Sequence, residues 1–536
     1  MEISYPTTDN TLNALTVSLD GSLDFIILAT GVSARPGLKG LKSYLEQSVR
    51  ALKDGGLLFV QGTPETLPEI GVYLDGKLTF KYWIAVESEM KRGRGLPSVH
   101  AGILLFAKGD TFPVKKTRFS HESCSACGKS LKDWGGKTHL MHPDGHAISD
   151  VWTELPVADN HTSISDPALQ TILRMVDLDE GANGVIGSTN SQLTLPLGIL
   201  SNPMHFIGHT NSMGVLPNNM VNVIHCGDAL EILRLYPDNC VDLVFADPPY
   251  NLKKDYSVCK DGWADGDYIS WCNEWLTEYA RVLKPTGSLF LLNLPRWTMY
   301  HADFLNKRLC FQNWIVWNAL SDPRGKLMPA HYGLLWYTKN LTGFTFNYDR
   351  TGIDARDYCL RASCKNRRKK SGNDRKEPLT DIWSDIHRIR HKRDRDYHPC
   401  QLPDALLKRI INLSTNEGDI VLDALCGAGT TPVIAARLGR QYIGIDIDES
   451  YVDITRRKIA EIEESGNIVR ASTIKMRLKY TKKDLQLELR DLAARLGRLP
   501  THEDIKAMSR YSPDDFMEVF PSWNKALEAA KLIVTE

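Results

Sequence analysis

The chain has 536 residues, room for about three or four domains, and 42% of them are apolar, an ordinary globular proportion. Its 65 basic residues are matched by 65 acidic ones, so any nucleic-acid footprint has to be local. Eleven cysteines are too few for a disulfide scaffold, and no apolar run approaches the ~18 residues of a membrane span; secreted-knot, membrane, collagenous and disordered classes are excluded.

No secretory start is visible, so reduced thiols and a cytoplasmic protein are expected. A long, diverged repeat runs through the chain. Arg50–Thr63 (RALKDGGLLFVQGT) lies 231 residues before Arg281–Leu294 (RVLKPTGSLFLLNL). His100 before AGILLFAK and His331 before YGLLWYTK share that spacing, as do Trp152 and Trp383. Three anchors in one register predict two related halves, 1–205 and 221–468. A Gly-, Asn-, Ser- and Pro-rich stretch from Gly187 to Asn219 separates them, and the linker is expected at 206–220.

Both halves alternate short apolar strands with amphipathic helices, the pattern of an α/β parallel sheet. In the first half, Asp24–Val32 reads as a strand. Cys124-x2-Cys127, with His139, His142 and His146 downstream, has zinc-finger spacing. Cys359-x4-Cys364 in the other half offers a competing second pair, and neither assigns a metal. The second half opens with a strand, Val221–His225, followed by Cys226-Gly227-Asp228. Val241–Ala246 is a buried strand that runs into Asp247-Pro248-Pro249-Tyr250. That turn sits where α/β sheets place their ligands. Proline stiffens it, and an acidic oxygen, a carbonyl and an aromatic face come close together, enough to hold and stack a planar amine.

Asp267–Leu283 has helical spacing, Lys284–Gly287 ends it, and Ser288–Leu292 returns as a strand. Segment 350–397 carries 15 basic and 8 acidic residues, densest at Lys365, Arg367, Arg368, Lys369 and Lys370 and again at Arg388, Arg390, Lys392 and Arg393. Phosphates attract such a cluster, and binding through it weakens with salt. His398-Pro-Cys-Gln401-Leu-Pro403 precedes a helix. Strand Ile420–Asp423 then feeds a glycine loop containing Leu425, Gly427, Gly429 and Thr430, and Thr431–Leu438 follows as a helix. The next strand, Tyr442–Asp446, ends on an acid able to accept two ribose hydroxyls. There is no P-loop lysine, so a nucleoside carrying a positive group suits the loop better than a triphosphate.

In motif set and order, residues 221–468 resemble the β class of S-adenosyl-L-methionine (AdoMet)-dependent DNA amino-methyltransferases, in which DPPY precedes the glycine motif. Leu425 stands where that class usually has phenylalanine. The resemblance implies that Asp247 and the Pro248 carbonyl accept hydrogen bonds from the target amine, within the turn completed by Pro249, and that Tyr250 stacks on a base flipped from double-stranded DNA. It further implies AdoMet as cofactor. Gly427 and Gly429 would then approach the methionine end with Asp423 nearby, Leu425 and Thr430 would line the cofactor pocket, Asp446 would bind the ribose and Asp228 the adenine, and His398 and Gln401 would flank. Aspartate in the first motif position points to adenine N6; cytosine N4, an RNA substrate and a non-catalytic DNA-binding protein are the alternatives. Target recognition is expected in the basic insert, about 345–397. A cognate restriction enzyme would be the partner in restriction-modification.

The first half has neither DPPY nor, within Gly184–Gly198, a G-x-G followed by an acidic strand end. The expectation is two tandem Rossmann-like methyltransferase domains, the first degenerate, forming a pseudo-dimer within one chain. The tail, 479–536, reads as helices alone and adds a small all-α domain. Leu485, Leu489, Leu492 and Leu496 form one stripe, and Phe516, Phe520, Trp523 and Leu527 another. Thr501–Asp504 is shaped like a capping box. LAARLGRLPTHEDI and FPSWNKALEAA resemble the homing-endonuclease-associated repeat, which implies DNA binding, although ten basic and ten acidic residues give no electrostatic support.

Overall fold

The repeat seen in the sequence becomes a repeat of strand register. The computed structural model describes residues 7–8, 10–31, 38–131, 141–176, 182–189, 214–252, 262–319, 325–348, 352–359, 361–389, 401–465, 482–509, 511, 513, 516–517, 520 and 522–533. The first half contains β1 (Thr7–Thr8), α1 (Thr11–Val17), β2 (Leu23–Ala29), α2 (Leu38–Ala51), β3 (Leu52–Gly62), α3 (Leu67–Asp75), β4 (Thr79–Lys91), β5 (Ser98–Ala107), β6 (Arg118–Phe119), β7 (His146–Ala147), β8 (Val151–Trp152), α4 (Asp166–Met175) and β9 (Gly184–Ser188). The second contains β10 (Val223–Cys226), α5 (Ala229–Leu233), β11 (Val241–Ala246), α6 (Asp265–Val282), β12 (Leu283–Asn293), α7 (Pro295–Leu305), β13 (Cys310–Asn318), β14 (His331–Thr338), β15 (Ile353–Asp354), α8 (Ala362–Ser371), β16 (Lys376–Glu377), β17 (Ile382–Trp383), α9 (Asp404–Ser414), β18 (Ile420–Asp423), α10 (Thr430–Arg437), β19 (Gln441–Asp446) and α11 (Glu449–Ser465).

Each half forms a mixed sheet, in the orders β1-β9-β2-β3-β5-β4-β8 and β10-β19-β18-β11-β12-β14-β13-β17. The registers coincide. Leu57 faces Ala107 in the first sheet and Ser288 faces Thr338 in the second, each 231 residues on. The bulge between Phe80 and Tyr82 recurs between Phe311 and Asn313. Central strands such as β2 and β11 are apolar almost throughout because both faces are covered by packed elements. Helix α6 starts at Asp265, two residues before its expected start, so Asp265 and Asp267 both sit in the first turn, where the helix dipole favours them.

The two expected halves fall within one compact unit, Met1–Ile389 with Cys400–Gly466. The reason is a shared core that includes Trp83, Leu104, Met299 and Trp314. Equivalent residues meet across it. Trp83 stacks on Trp314 with ring centroids 3.8 Å apart and planes at 11°. His100 Nδ1 lies 3.1 Å from Asp381, and His331 Nδ1 lies 3.2 Å from Asp150. The same two carboxylates accept the Val99 and Ala330 N–H groups at 2.8 and 2.7 Å. Such reciprocity is the signature of an isologous interface, here closed inside one chain.

Within the second unit, Arg390–Pro399 with Asn467–Glu536, the described elements are α12 (Lys482–Leu496), α13 (His502–Met508) and α14 (Trp523–Ala529). Leu485, Leu489, Leu492, Ile505, Phe516, Phe520 and Leu527 make its core. Thr501 and Asp504 form the reciprocal capping box, and Arg498 adds an ion pair to Asp504 at 2.7 Å. Among the described residues no helix is long and apolar enough to cross a membrane.

Candidate functional site

Strands β11 and β18 are hydrogen-bonded neighbours, with Leu243 opposite Val421 and Val244 opposite Leu422. From β11 the chain passes through α6 to β12 on one side; from β18 it passes through α10 to β19 on the other. The carboxyl ends of β11 and β18 therefore flank a topological switch point, where an open α/β sheet leaves a crevice. The DPPY turn leaves one strand there and the glycine loop leaves the other.

The DPPY turn is held from behind. Tyr250 donates its hydroxyl to Asp247 Oδ1 at 2.6 Å. Tyr268 Oη donates to the Pro249 carbonyl at 2.6 Å, and Trp297 Nε1 to the Tyr250 carbonyl at 2.9 Å. The Asn293 side-chain amide donates to Tyr268 Oη at 2.9 Å and lies 3.1 Å from His301 Nε2. Full burial pushes His301 down to about 3, so its ring is neutral and that nitrogen is an acceptor. No hydrogen bond to the Pro248 carbonyl is made among the described residues, which leaves that acceptor for an external donor. Tyr250 is buried, its ring 5.7 Å from that of Tyr332, so the expected open stacking face is largely covered.

The glycine loop is equally constrained. Gly427 and Gly429 have φ of +49° and +78°. A Cβ on Gly429 would lie 2.2 Å from Thr455 Oγ1, so only glycine fits. Gly429 is the N-cap of α10, Thr430 its first residue, and Leu425 is half-buried against the core. Lys458, buried, donates to the Ala428 carbonyl at 2.7 Å. Ala424 N–H donates to Tyr279 Oη at 3.1 Å. Asp446 accepts the Gly427 and Asp448 N–H groups at 2.8 and 2.9 Å, and burial pushes its carboxyl up. Asp423, fully buried beside Thr431, is pushed up to about 7, by desolvation first and by Asp446 in addition.

Among the other expected residues, Asp228 follows Gly227, whose N–H donates to the Asp446 carbonyl at 3.0 Å, so the end of β10 lies beside the end of β19. Asp228 is exposed and caps α5 by accepting the Leu230 and Glu231 N–H groups at 2.9 and 3.0 Å. Gln401 is half-buried just before α9; His398, His139, Arg390, Lys392 and Arg393 lie outside the described residues. Of the basic run, Arg367, Lys369 and Lys370 are exposed, Lys365 pairs with Asp354 at 3.2 Å, and Arg388 is half-buried. Arg368 departs from expectation. It is 1% exposed and pairs with Asp354 and Asp374, both at 3.1 Å, so it braces the insert from within and does not face a phosphate. The competing cysteine pairs also read differently in three dimensions, because both pairs converge on one point. His146 instead pairs with Glu154 at 3.2 Å, and His142 lies 3.6 Å from Asp144.

At the corresponding end of β2 there is no acidic turn. Thr30 Oγ1 donates to the Gln61 carbonyl at 2.8 Å, and the Gln61 side-chain amide donates to the Asn160 carbonyl, all buried.

Sequence reasoning missed Tyr268, Tyr279, Asn293, Trp297, His301 and Lys458. The signal was thin: a tyrosine or tryptophan at a helix position reads as core, and only the position of Asn293 at a strand's carboxyl end hinted at a role.

The fold and crevice suit a group-transfer enzyme, with the DPPY turn on one side and the glycine loop on the other. The acid set fits AdoMet: buried Asp423, raised in part by its half-buried neighbour Asp446, suits a cationic, ribose-bearing group. The profile described as DNA methylase matches residues 241–457, and that of the homing endonuclease associated repeat matches 480–533. The chain is 34% identical over 307 residues to the Type II methyltransferase M.BamHI of Bacillus amyloliquefaciens, covering 51% of this chain and 72% of that one. It is 37% identical over 251 residues to the DNA adenine methyltransferase YhdJ of Escherichia coli (strain K12), covering 45% and 83%. A solved DNA modification methylase from Thermus thermophilus, complexed with S-adenosyl-L-methionine, is 22% identical with a TM-score of 0.32, covering 45% and 94%. The chain belongs to the DNA methylase family, and its methyl donor is AdoMet.

Proposed function

We propose that the chain methylates the exocyclic N6 of adenine at a specific site in double-stranded DNA. The observation that carries this is the pairing of Asp247 and the unengaged Pro248 carbonyl with the glycine loop across one switch-point crevice. AdoMet supplies a sulfonium-activated methyl group when bound. Asp423, Leu425, Gly427, Gly429, Thr430 and Asp446 would hold it, with Asp228, His398 and Gln401 at its edges. Asp247 and the Pro248 carbonyl accept the two amine N–H groups, which aligns the nitrogen lone pair for in-line attack. The target base has to leave the duplex to reach them. Tyr250 lies in hydrogen-bond contact with Asp247, and stacking on a base would follow a turn of its ring.

The first half is a methyltransferase-like domain without active-site residues; the neutral Thr30–Gln61–Asn160 network supports this. Its role is to supply the DNA contacts of a second subunit. Arg367, Lys369, Lys370 and the basic residues from Arg388 to Arg393 attract the phosphates, and the helical tail is an accessory DNA-binding module. A cognate restriction enzyme is the partner by which such methylation protects a genome.

Purified protein, unmethylated DNA and AdoMet, with Asp247→Ala as control, test the reading by nucleoside mass spectrometry. N6-methyladenine formed only with Asp247 intact is expected. N4-methylcytosine would overturn the base assignment while keeping the mechanism. No methylated nucleoside, on diverse DNA with AdoMet bound, would overturn the reading.

A further inference from the structure

Four cysteines from the two halves of the chain meet at one point. Cys124 and Cys127 belong to the segment between β6 and β7, and Cys359 and Cys364 to the insert between β14 and β17. Their four sulfurs all lie within 4.8 Å of one another. Cys124 Sγ is 3.9 Å from Cys364 Sγ, and Cys127 Sγ is 3.6 Å from Cys359 Sγ. These separations are far beyond the roughly 2.05 Å of a disulfide. They match the edge of a tetrahedron: metal–sulfur bonds of about 2.3 Å give sulfur–sulfur edges of about 3.8 Å.

The surrounding chain is built for this arrangement. Cys124-Ser-Ala-Cys127-Gly128 is a tight turn in which the Cys127 and Gly128 N–H groups both donate to the Cys124 carbonyl, at 3.3 and 2.8 Å. Gly128 takes φ +67°, and the Ser123–Ser130 bridge closes the knuckle behind it. The Cys359 N–H donates to Cys124 Sγ at 3.3 Å. Cys364 lies in the first turn of α8, where the helix dipole favours a thiolate. Arg368, one turn further on, places Nη1 3.6 Å from Cys364 Sγ, and its guanidinium lies over the Tyr358 ring. Cys124, Cys359 and Cys364 are buried, and Arg367 and Arg361 tie α8 to the knuckle through the Ala126 and Ser130 carbonyls at 2.7 and 2.8 Å.

We propose that Cys124, Cys127, Cys359 and Cys364 bind one Zn2+ ion in a closed, structural tetrathiolate site that fastens the first half of the chain to the basic insert of the second. Four thiols lose their protons to solvent, four Zn–S bonds form, and the centre carries a net charge of −2. Arg368 is the buried cation beside that charge, which explains why one arginine of an otherwise solvent-facing basic run is turned inward. All four positions are taken by protein, so the site is structural and not catalytic. The proposal stands on the sulfur geometry and is independent of the base that the enzyme methylates.

The test uses the full chain, purified under reducing conditions without chelator. Elemental analysis is expected to give one zinc per chain, and Cys127→Ser and Cys364→Ser to lower it to background. Retention of zinc by both variants would overturn the ligand set. In case the variants fail to fold, the wild-type chain is also loaded with Co2+. The d–d absorption of a tetrahedral site, together with thiolate-to-cobalt charge transfer, is expected and should vanish on adding Zn2+. Absence of bound metal after reconstitution with zinc sulfate, or a Cys124–Cys364 disulfide in non-reducing peptide mapping, would overturn the proposal; iron in place of zinc would overturn the metal assignment.

Discussion

Two side chains set the chemistry expected of the crevice. Tyr268 fixes the Pro249 carbonyl and thereby the angle at which Asp247 and the Pro248 carbonyl would face a base. Tyr268→Phe removes both the bond to the Pro249 carbonyl and the one accepted from the Asn293 amide, and lets the turn drift. We expect kcat to fall about 10²-fold, the scale of a 1 Å misplacement, with AdoMet affinity unchanged; single-turnover kinetics and isothermal titration separate the two. Asp423 should make the enzyme pH-sensitive. Its carboxyl is held near 7 in the folded protein, well above its unfolded value, so its contribution to stability is complete below about pH 4 and is lost as pH rises through about 7. A cation binds the ionised form, so AdoMet affinity should weaken about tenfold for each pH unit below about 7. Asp423→Asn should flatten that profile, and S-adenosylhomocysteine, which lacks the positive charge, should follow it only weakly. A pH-independent Kd for the wild type would show that Asp423 does not face the sulfonium.

At the scale of elements, α6 is the fastening of the site. Tyr268 near its start holds the DPPY turn, and Tyr279, about three turns along on the same face, accepts the Ala424 N–H ahead of the glycine loop. One helix therefore sets the spacing of both turns. Tyr279→Phe should weaken AdoMet binding and leave an unpaired buried N–H, lowering stability by about 1–3 kcal/mol, measured by denaturant unfolding. Much of this frame was legible from the chain alone. The strands β11, β18 and β19 are apolar runs ended by proline, glycine or acid, and their observed bounds lie within a residue of the expected ones. The supports were not legible. Helical periodicity says which face of α6 is buried, not which distant carbonyl a hydroxyl will meet. Likewise the cysteine spacings within each half looked like rivals, because pairs 232 and 240 residues apart are brought together by the shared core and not by any local pattern.

The whole molecule is organised around the contact between its halves. Trp83 and Trp314 stack at its centre, and Trp83→Ala should cost about 3–5 kcal/mol of stability, read as a fall in the denaturant midpoint, although Trp83 lies in the half without DPPY. Residues 221–536 purified alone would lose Trp83, His100 and Asp150 together. That fragment should bind DNA more weakly and stay less soluble than the full chain; undiminished DNA affinity and activity would show that the first half has no such role.

The reciprocal pairs His100–Asp381 and His331–Asp150 relate the two halves by a near two-fold, yet of the corresponding ends of β2 and β11 only that of β11 carries an acid turn. On the proposed reading, a single copy of such a body acting on a palindromic site would modify one strand in each landing. A visit to an unmethylated site should leave a hemimethylated duplex, and the second strand should wait for release and reversal. During that interval a freshly replicated site and a half-finished one look alike, so the enzyme's turnover, and not its affinity alone, sets how long a new site stays exposed.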